Sequence, residues 1–448
     1  MTLSLRTSID RLRNEGLVLE IRDKVDLEFE VSAIVKEFEN KYAILFRKVK
    51  NDIDLISGIY GDRKRLAVTL GLSEQDFLKR YLTAIDNPSP TKVINNAPVH
   101  EVKYFGDEVD LSILPIPKIY EHDAGPYLTA SIVIAKDPLT GVPNASYHRM
   151  LPISRNKLAV RVVKRDLWHY LRNAEKKNGK LEAAVVLGVD PAVALAASTT
   201  VETHVNELEI ASSILGEPLE LTKGLTIDVE YPAHAEIVLE GYFDTRERHD
   251  EGPFVDITGT YDIVRKEPVF TVTAVAMRRK PIFHMILSAG YEHRTLMGFP
   301  REAKIFKYVG SVSPVKDVHL SSAGCGWLEA IISIEKRHAD EPIDAALAAF
   351  AAHPSMKRVI IVDPDINIRD YEEVHWAVLT RANPVDDMII IPRSKGSSLD
   401  KSGEPRSKII IDATIKGDKR DLFIRGRIPV NEKVRGIIDR LRKGLNNL

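Results

Sequence analysis

Two acidic side chains flank a glycine–proline turn in the segment HDEGPFVDITG, residues 249–259. Glu251 and Asp256 are five positions apart, so in a straight strand they would point to opposite faces. A bend at Gly252 and Pro253 would let the two carboxyl groups converge, and a carboxyl group buried beside a second one holds its proton more tightly. The segment therefore predicts a general acid that works near neutral pH. The alternative is a polar turn with two solvated acids.

The segment NASYHRM, residues 144–150, contains a second pair of chemically useful side chains. Asn144 offers a neutral oxygen ligand for a hard cation. Arg149 offers a planar fork that binds a carboxylate through two hydrogen bonds. The segment predicts a cation site next to a carboxylate site, although an arginine at such a position also serves in surface ion pairs.

A third segment, residues 197–218, supplies hydroxyl and carbonyl oxygens at Ser198, Thr199 and Thr200. Glu207 begins a predicted helix that ends at Gly216. His204 and Glu207 are three positions apart, a spacing that can place two metal ligands on one helical face. Without a further ligand at helical spacing, a capped surface helix is the simpler interpretation.

Taken together and in chain order, these segments resemble the UbiD family of prenylated-flavin decarboxylases. The matching features are the spacing of Asn144 and Arg149, Glu207 ahead of a helix, and the EGPFVD segment at 251–256. Two later stretches also match, DPDINIRDYEEVHWAVLTRANPVDD at 363–387 and SKIIIDATIK at 407–416. The resemblance extends from about residue 100 to residue 416.

The resemblance implies a prenylated FMN cofactor whose phosphate is held by a divalent ion, usually Mn2+, with K+ nearby. Asn144 and Glu207 match two ligands of the divalent ion, and the family's third ligand, a histidine, aligns with Asp166 or, after a register shift, with His169. The oxygens of Ala197, Ser198 and Thr199 match the potassium site. The implied cofactor-binding positions are Asn144, Ser146, Tyr147, His148, Arg149, Ala197, Ser198, Glu207 and Lys408.

The resemblance also implies a catalytic trio of Glu251, Arg149 and Asp256. Arg149 would orient the substrate carboxylate, and Glu251 would protonate the carbon that loses CO2. Asp256 would hold Arg149 and tune Glu251 as a second nearby charge. The flavin would do the difficult chemistry while these side chains orient and protonate the substrate.

The expected substrate is an α,β-unsaturated acid, and archaeal members of the family convert trans-anhydromevalonate 5-phosphate to isopentenyl phosphate in a variant mevalonate pathway of isoprenoid synthesis. Candidate anchors for such a phosphate are Arg246, Arg248, His249, Arg279, Lys280, His293 and Arg294. Within the family the alternative is an aromatic acid (de)carboxylase of the 4-hydroxybenzoate type. From other classes, the alternatives are a flavin-binding protein without catalysis and a flavin-free metal-dependent hydrolase that uses Asn144, Asp166, His204 and Glu207.

The composition describes a globular, multidomain chain of 448 residues with 44% hydrophobic and 28% charged residues. Its net charge of −1 provides no general field for nucleic acid or an anionic membrane. Cys325 is the lone cysteine, which excludes an intrachain disulfide and fits a reducing compartment. The N-terminus lacks the apolar core of a signal peptide, and no run of about 18 apolar residues exists, so we expect a cytoplasmic protein.

The pattern of elements predicts a mixed α/β multidomain fold. Residues 1–105 form a predicted α/β domain, with a first helix suggested by Leu5, Ile9, Leu12 and Leu17, a second at Leu27–Glu39, strands at 42–46 and 54–61, and a helix capped by Ser73. Residues 106–305 are strand-rich, which favours a barrel or sandwich. The resemblance implies a split β-barrel that binds the flavin.

The remaining sequence predicts a C-terminal α/β domain at 306–428 and an amphipathic helix at 429–448. This helix has Val434, Ile437, Ile438, Leu441 and Leu445 on one face, which must cover apolar surface on its own chain or on a partner. The resemblance implies a homodimer or larger homo-oligomer built by the C-terminal domain. It also implies dependence on a flavin prenyltransferase that supplies the cofactor.

Overall fold

The structure is a computed structural model that describes residues 4–177, 179–417, 419–426 and 428–445. Its helices are α1 (Leu5–Asn14), α2 (Glu30–Phe38), α3 (Arg63–Leu70), α4 (Glu74–Asp86), α5 (Asp166–Lys177), α6 (Pro191–Ser198), α7 (Glu207–Leu215), α8 (Tyr291–Gly310), α9 (Glu341–Ala352), α10 (Tyr371–Arg381) and α11 (Glu432–Leu445).

Its strands are β1 (Val18–Ile21), β2 (Ala43–Lys50), β3 (Ile53–Ser57), β4 (Lys92–Val93), β5 (Val102–Phe105), β6 (Ile132–Lys136), β7 (Pro143–Tyr147), β8 (Met150–Ser154), β9 (Lys157–Val160), β10 (Lys180–Leu187), β11 (Glu220–Lys223), β12 (Glu230–Pro232), β13 (Ile237–Glu251), β14 (Phe254–Val255), β15 (Tyr261–Asp262), β16 (Arg265–Met277), β17 (Ile282–His284), β18 (Val315–Leu320), β19 (Glu329–Ile334), β20 (Arg358–Val362), β21 (Met388–Ile391) and β22 (Lys408–Asp412).

The N-terminal part is an α/β unit with a four-stranded sheet in the order β1-β2-β3-β17. The predicted first helix forms, with Leu5, Ile9 and Leu12 buried, but Leu17 lies beyond its end at Asn14. The second helix begins at Glu30, later than predicted. Ser73 caps α4 as predicted, because its hydroxyl accepts a hydrogen bond from the backbone N–H of Asp76.

The central part is an antiparallel sheet in the order β7-β6-β10-β13-β16-β9-β8, with β5 also paired to β16. The first and last strands of this path, β7 and β8, are consecutive in the chain and are joined by His148 and Arg149 alone. Two residues reach only about 10 Å when fully extended, so the two ends of the path come together at this link. The link brings backbone from both ends of the sheet to one place.

The C-terminal part is a five-stranded sheet in the order β18-β19-β20-β22-β21, in which β19, β20 and β22 run parallel. One face packs against α8 and α9, and the other packs against α10. Helices on both faces explain the near-continuous apolar run of β20. The molecule is therefore a mixed α/β fold with N-terminal, central and C-terminal parts.

Strand pairing and one helix connect the chain across two of the predicted domain boundaries. Strand β5 ends at residue 105 and pairs with the central strand β16, whereas β17 leaves the central region and pairs in parallel with β3 of the N-terminal sheet. Helix α8 runs from 291 to 310, across the predicted boundary at 305, and contacts both β18 and α9. The chain thus passes between its parts more than once.

The predicted terminal helix forms as α11, and several of its apolar side chains have no cover. Val434, Ile437 and Leu441 are 39%, 38% and 62% exposed. Ile438 is partly buried, and the side chain of Leu445 lies outside the described part of the chain. Over the described ranges, no helix is both long enough and apolar enough to span a bilayer.

Candidate active site

Arg149 lies in the link between β7 and β8 and binds the carboxylate that ends β13. Its Nε donates to Oε1 of Glu251 at 2.7 Å, and its Nη2 donates to Oε2 at 2.9 Å. Oδ2 of Asp256 is 3.7 Å from Nη1 of Arg149. The chain bends between the two acids at Gly252, whose φ of 94° favours glycine. The two carboxyl groups therefore converge, as the glycine–proline turn predicted.

The Arg149–Glu251 pair is shielded from water. Glu251 is fully buried, and the guanidinium lies 4.7 Å from the ring centre of Phe254. Burial opposes a charge on Arg149, but the hydrogen bonds and the charge of Glu251, with the charge of Asp256, more than offset it and raise the pKa of Arg149. The position of Arg149 is held mainly by Glu251. Asp256 adds the longer contact, and its predicted role in holding Arg149 stays a prediction that this ion pair supports.

Two residues of this cluster were missed in the sequence. Asp262 approaches Nη2 of Arg149 to 3.4 Å and also binds Arg265. It lies opposite Phe254 in the short β14–β15 hairpin, so a hairpin prediction across TGTYD would have brought it to the site. The hydroxyl of Tyr127 accepts a hydrogen bond from the N–H of Gly252 at 3.1 Å. Burial, with the nearby charge of Glu251, raises the pKa of Tyr127.

A second cluster joins β7 to the start of α7. Nδ2 of Asn144 lies 2.8 Å from Oε1 of Glu207, whose other oxygen accepts from the N–H of Ala145 at 2.9 Å. Both Asn144 and Glu207 are buried. Burial raises the pKa of Glu207 to about 7, against the hydrogen bond from Ala145, and the charge of Asp166 adds to the rise. A buried carboxylate with a second acid nearby is an electrostatic environment that favours a cation.

The hydrogen bonds around Asn144 decide which way its amide points. Burial lowers the pKa of His148 to about 4, so this ring is neutral near pH 7. Its Nδ1 is 2.9 Å from the carbonyl of Arg161 and must donate, so its Nε2 must accept from Ser146 at 3.0 Å. The single Ser146 proton is then used, and Ser146 can only accept from Asn144.

The Asn144 amide satisfies this chain when its nitrogen faces Ser146 and its oxygen faces Glu207, the reverse of the orientation described above. Two oxygens so close need a cation or a proton between them. The carboxylate of Glu207, the amide oxygen of Asn144 and the nearby carboxylate of Asp166 form an oxygen donor set suited to a hard divalent ion. The residues present therefore fit the implied divalent ion.

The two candidates for the third ligand differ in their surroundings. Asp166, at the start of α5, is close enough for its charge to act on Glu207 and on Tyr170. His169 is exposed, and its ring contacts the neighbouring Trp168. His204 precedes α7, is 74% exposed, and lies 3.5 Å from Glu202. The predicted His204–Glu207 metal pair and the hydrolase set that depends on it are therefore not assembled.

Of the other predicted cofactor residues, three lie on β7 and α6, and Lys408 lies in the C-terminal sheet. Tyr147 follows Ser146 on β7, and its buried hydroxyl has no hydrogen-bond partner among the described residues. Ala197 and Ser198 form the last turn of α6, where carbonyl groups lack helical N–H partners and carry the negative end of the helix dipole. Lys408, by contrast, starts β22 of the C-terminal sheet. Its ammonium donates to the carbonyls of Pro354 and Met356 and lies over the ring of Phe350, so it does not join this cluster.

Most predicted phosphate anchors are exposed. These are Arg246, Arg248, His249, Arg279 and Lys280. His293 differs, because its ring is partly buried and lies close enough to Asp256, Arg294 and Arg149 for their charges to act on it. Its Nδ1 accepts from the N–H of Ala289 at 3.1 Å, which leaves a proton on Nε2. Burial lowers the pKa of His293, so it presents a neutral N–H donor to the site.

Comparison with known proteins gives the same assignment over the whole chain. Three models of 3-octaprenyl-4-hydroxybenzoate carboxy-lyase match: the UbiD N-terminal domain at residues 9–85, the Rift-related domain at 91–291 and the C-terminal domain at 294–413. The chain is 40% identical over 414 residues to an anhydromevalonate phosphate decarboxylase from Methanothermobacter thermautotrophicus, which covers 92% of this chain and 96% of that protein.

A protein of the same name from Methanosarcina mazei is 40% identical over 431 residues and covers 95% of this chain and 100% of its own length. The structure of the UbiD-class enzyme HmfF from Pelotomaculum thermopropionicum in complex with FMN is similar at a TM-score of 0.92 and 39% identity, and covers 96% of this chain and 98% of that chain. The chain therefore belongs to the UbiD family and is a carboxy-lyase of the UbiD type.

Proposed function

We propose that this enzyme is a prenylated-FMN-dependent decarboxylase that converts trans-anhydromevalonate 5-phosphate to isopentenyl phosphate and CO2. The observation that carries the substrate is the 40% identity, over more than nine-tenths of the chain, to relatives named anhydromevalonate phosphate decarboxylase. The solved relative in complex with FMN supports the flavin. The buried arginine–glutamate pair supports the reaction type, because it combines a carboxylate-binding group with a proton donor in one shielded place.

Prenylated FMN, when bound, would supply an electrophilic ring able to take up the electron pair that stays on the substrate carbon when CO2 leaves. Arg149 binds the substrate carboxylate in bidentate fashion and fixes the bond that breaks. CO2 leaves, and Glu251 delivers a proton to the carbon that carried it, so one carboxylate and one proton become one C–H bond and CO2. Asp256 and Asp262 keep Arg149 charged and in place. His293 offers its neutral N–H to the same site.

The cation site would consist of Asn144, Glu207 and Asp166, with Mn2+ as the expected ion. Its role is to hold the cofactor phosphate, since a divalent ion can bind phosphate and carboxylate oxygens together. The carbonyl groups at Ala197 and Ser198, with Thr199, would hold K+ at the negative end of α6. The supporting observations are the buried Glu207, the influence of Asp166 on its pKa, and the short contact between the side-chain amide of Asn144 and Glu207.

Two proposals concern the whole assembly. The central sheet is a split β-barrel that holds the flavin, which the meeting of β7 and β8 supports. The enzyme forms a homo-oligomer through its C-terminal part, which the exposed apolar side chains on α11 and on strand β21 support; Ile390 on β21 is 68% exposed. A flavin prenyltransferase supplies the cofactor.

Product analysis tests the function. Protein produced together with a flavin prenyltransferase is incubated with trans-anhydromevalonate 5-phosphate, and the mixture is analysed for isopentenyl phosphate and CO2. We expect both products in equal amounts, and neither from protein produced without the prenyltransferase.

Two other results would change the assignment. Flavin-loaded protein that leaves this acid intact but decarboxylates an aromatic acid would replace the substrate and keep the enzyme class. Turnover by flavin-free protein would favour a metal-dependent hydrolase.

A further inference from the structure

Two arginine side chains share one hydroxyl group beside the proposed cofactor site. Nη2 of Arg301, in α8, donates to Oγ1 of Thr200 at 2.8 Å, and Nη1 of Arg165 donates to the same oxygen at 3.2 Å. Arg165 lies immediately before α5, and Thr200 follows the end of α6. Two cations have thus been brought together around a single neutral acceptor.

Arg301 is the exception among the buried arginines of the described residues. These are Arg65, Arg301 and Arg381. Arg65 pairs with Asp62, and Arg381 pairs with two aspartates. Arg301 is only 9% exposed, yet no carboxylate lies within ion-pair distance of it in the described part of the chain. Burial and the charge of Arg165 lower the pKa of Arg301 to about 10.

The contacts that Arg301 does make leave most of its hydrogen-bonding capacity unused. Its guanidinium is 5.5 Å from the ring centre of Trp327, which offers a partial cation–π interaction. One hydroxyl takes one of its five N–H groups. A buried, unpaired charge next to a like charge is costly unless an anion compensates both. The arrangement is therefore that of an anion site.

The residues around Arg165, Arg301 and Thr200 indicate which kind of anion the site would bind. Arg165 adjoins Asp166, the proposed metal ligand, and Thr200 comes two residues after Ser198 of the proposed potassium site. The hydroxyl of Tyr81 donates to that of Thr199 at 2.6 Å, because Thr199 donates its own proton to the carbonyl of Leu195. Arg301 is also eight residues after His293 on α8, about 12 Å along the helix axis. The cluster thus adjoins in the chain the residues proposed to hold the cations and shares helix α8 with His293.

We propose that Arg165, Arg301 and Thr200 form a binding site for a phosphate monoester. Two guanidinium forks and a hydroxyl match the oxygens of a doubly charged phosphate better than a single carboxylate. The phosphate belongs either to the flavin mononucleotide or to the phosphorylated substrate, and the second source rests on the proposed function. The five exposed anchors expected from the sequence are replaced by residues that were not expected.

The test compares Arg301→Met, Arg165→Met and Arg301→Lys with the wild-type chain. Methionine keeps the length of the side chain but removes its charge, and Arg22→Met, at an 82% exposed position, is the matched control. Three probes are used: binding of FMN and of riboflavin to the apoprotein, the shift of thermal unfolding by millimolar inorganic phosphate, and the KM for trans-anhydromevalonate 5-phosphate. Circular dichroism and the unfolding midpoint without ligand establish that each variant is folded.

If the site takes the cofactor phosphate, Arg301→Met weakens FMN roughly 10- to 100-fold and leaves riboflavin unchanged. If it takes the substrate phosphate, FMN binding is unchanged while the KM rises by a similar factor and kcat changes little. Either result, or loss of the phosphate-dependent unfolding shift, supports the site, and Arg301→Lys restores part of it. Folded variants that match wild type with all three probes overturn the proposal. A wild-type enzyme that does not convert trans-anhydromevalonate 5-phosphate refutes the proposed function. The binding of FMN and riboflavin and the unfolding shift with phosphate would still show whether the phosphate site exists.

Discussion

Arg149 is proposed to bind the substrate carboxylate, yet it already binds Glu251 through two hydrogen bonds. A glutamate in such a pair is in its charged form, yet a proton donor must carry a proton. A substrate carboxylate that takes one of these bonds adds negative charge beside Glu251 and withdraws part of its partner. We therefore expect substrate binding to rearrange the Arg149–Glu251 pair and to release Glu251 for proton transfer.

We predict that Glu251→Gln binds flavin and substrate but turns over at least about 100-fold more slowly, because the amide cannot deliver the proton. Steady-state kinetics and the flavin content of the purified protein measure the two effects. Glu247→Gln, on the same strand β13 and partly exposed, is the control and should behave like wild type. Wild-type turnover in Glu251→Gln would contradict the assignment of Glu251 as the proton donor.

The chain from His148 through Ser146 to Asn144 predicts a role for a residue that does not touch the metal. Ser146→Ala removes the acceptor that directs the amide of Asn144, so the affinity for Mn2+ should fall roughly 10- to 100-fold. Titration of the apoprotein with Mn2+, followed by electron paramagnetic resonance, measures this affinity. Ser154→Ala, at the exposed end of β8, is the control. An unchanged affinity in Ser146→Ala contradicts the orientation inferred for Asn144.

At the scale of elements, α8 connects the parts of the molecule, and a buried acid lies against its first turn. A Cβ atom on Gly290, the N-cap of α8, would approach a carboxylate oxygen of Glu39 to 2.4 Å, so the two are in close contact. Burial raises the pKa of Glu39 from 4.5 to about 7, and the charge of Glu292 adds to the rise. The folded protein therefore holds a proton here that the unfolded chain releases.

The sign of the pH effect follows from this difference. Between about pH 4.5 and pH 7 the unfolded state loses the proton first, so the contribution of Glu39 to stability falls as the pH rises. We predict that Glu39→Gln raises the free energy of unfolding at pH 8 by roughly 2–3 kcal/mol, with no gain at pH 4. Urea denaturation at the two pH values measures it. Glu37→Gln, exposed near the end of α2 and two residues before Glu39, should show no such difference, and equal effects at both pH values would contradict the mechanism.

Local patterns predicted most elements but not the contacts between distant ones. The amphipathic spacing of α1 and the cap at Ser73 are local properties and are found as predicted. The pairing of β17 with β3 joins residues more than 200 positions apart, which no periodicity encodes. The three-dimensional fold brings these strands together, so only the structure reveals the pairing.

For the site, residues with a distinctive chemical type were predictable from the sequence, whereas their distant contacts were not. Glu251 and Arg149 were found from residue type and resemblance, whereas Asp262 and Arg301 lacked a chemical signature of their own. Lys408 was a cofactor-binding position that the resemblance implied. Its partners, two backbone carbonyls of the C-terminal part, depend on the fold and explain why it lies apart from the cluster.

At the scale of the molecule, uncovered apolar side chains gather in the C-terminal part. Leu422, Ile424 and Ile428 precede α11 and are 76%, 76% and 90% exposed. Single exposed apolar side chains are common, but a series along one segment marks a contact surface. Together with the exposed face of α11, they favour an interface between copies of this chain.

We predict that Leu441→Glu, on α11, disrupts the oligomer, because a charge in an apolar interface is costly. Light scattering coupled to size-exclusion chromatography should show a shift toward the mass of a monomer. Leu139→Glu, at an isolated site that is 63% exposed, is the control and should keep the wild-type mass. Identical masses for wild type and Leu441→Glu would remove α11 from the interface.

Because Arg149 lies in the two-residue link between β7 and β8, catalysis should depend on a completely folded central sheet. Arg149 reaches Glu251, 102 positions away, only when both ends of the central sheet have met. An unfinished chain lacks the closed site, so it can neither fix a carboxylate nor protect a reactive intermediate from water. We therefore expect incompletely folded or damaged molecules to have no decarboxylase activity. Every active molecule should contain the closed central sheet.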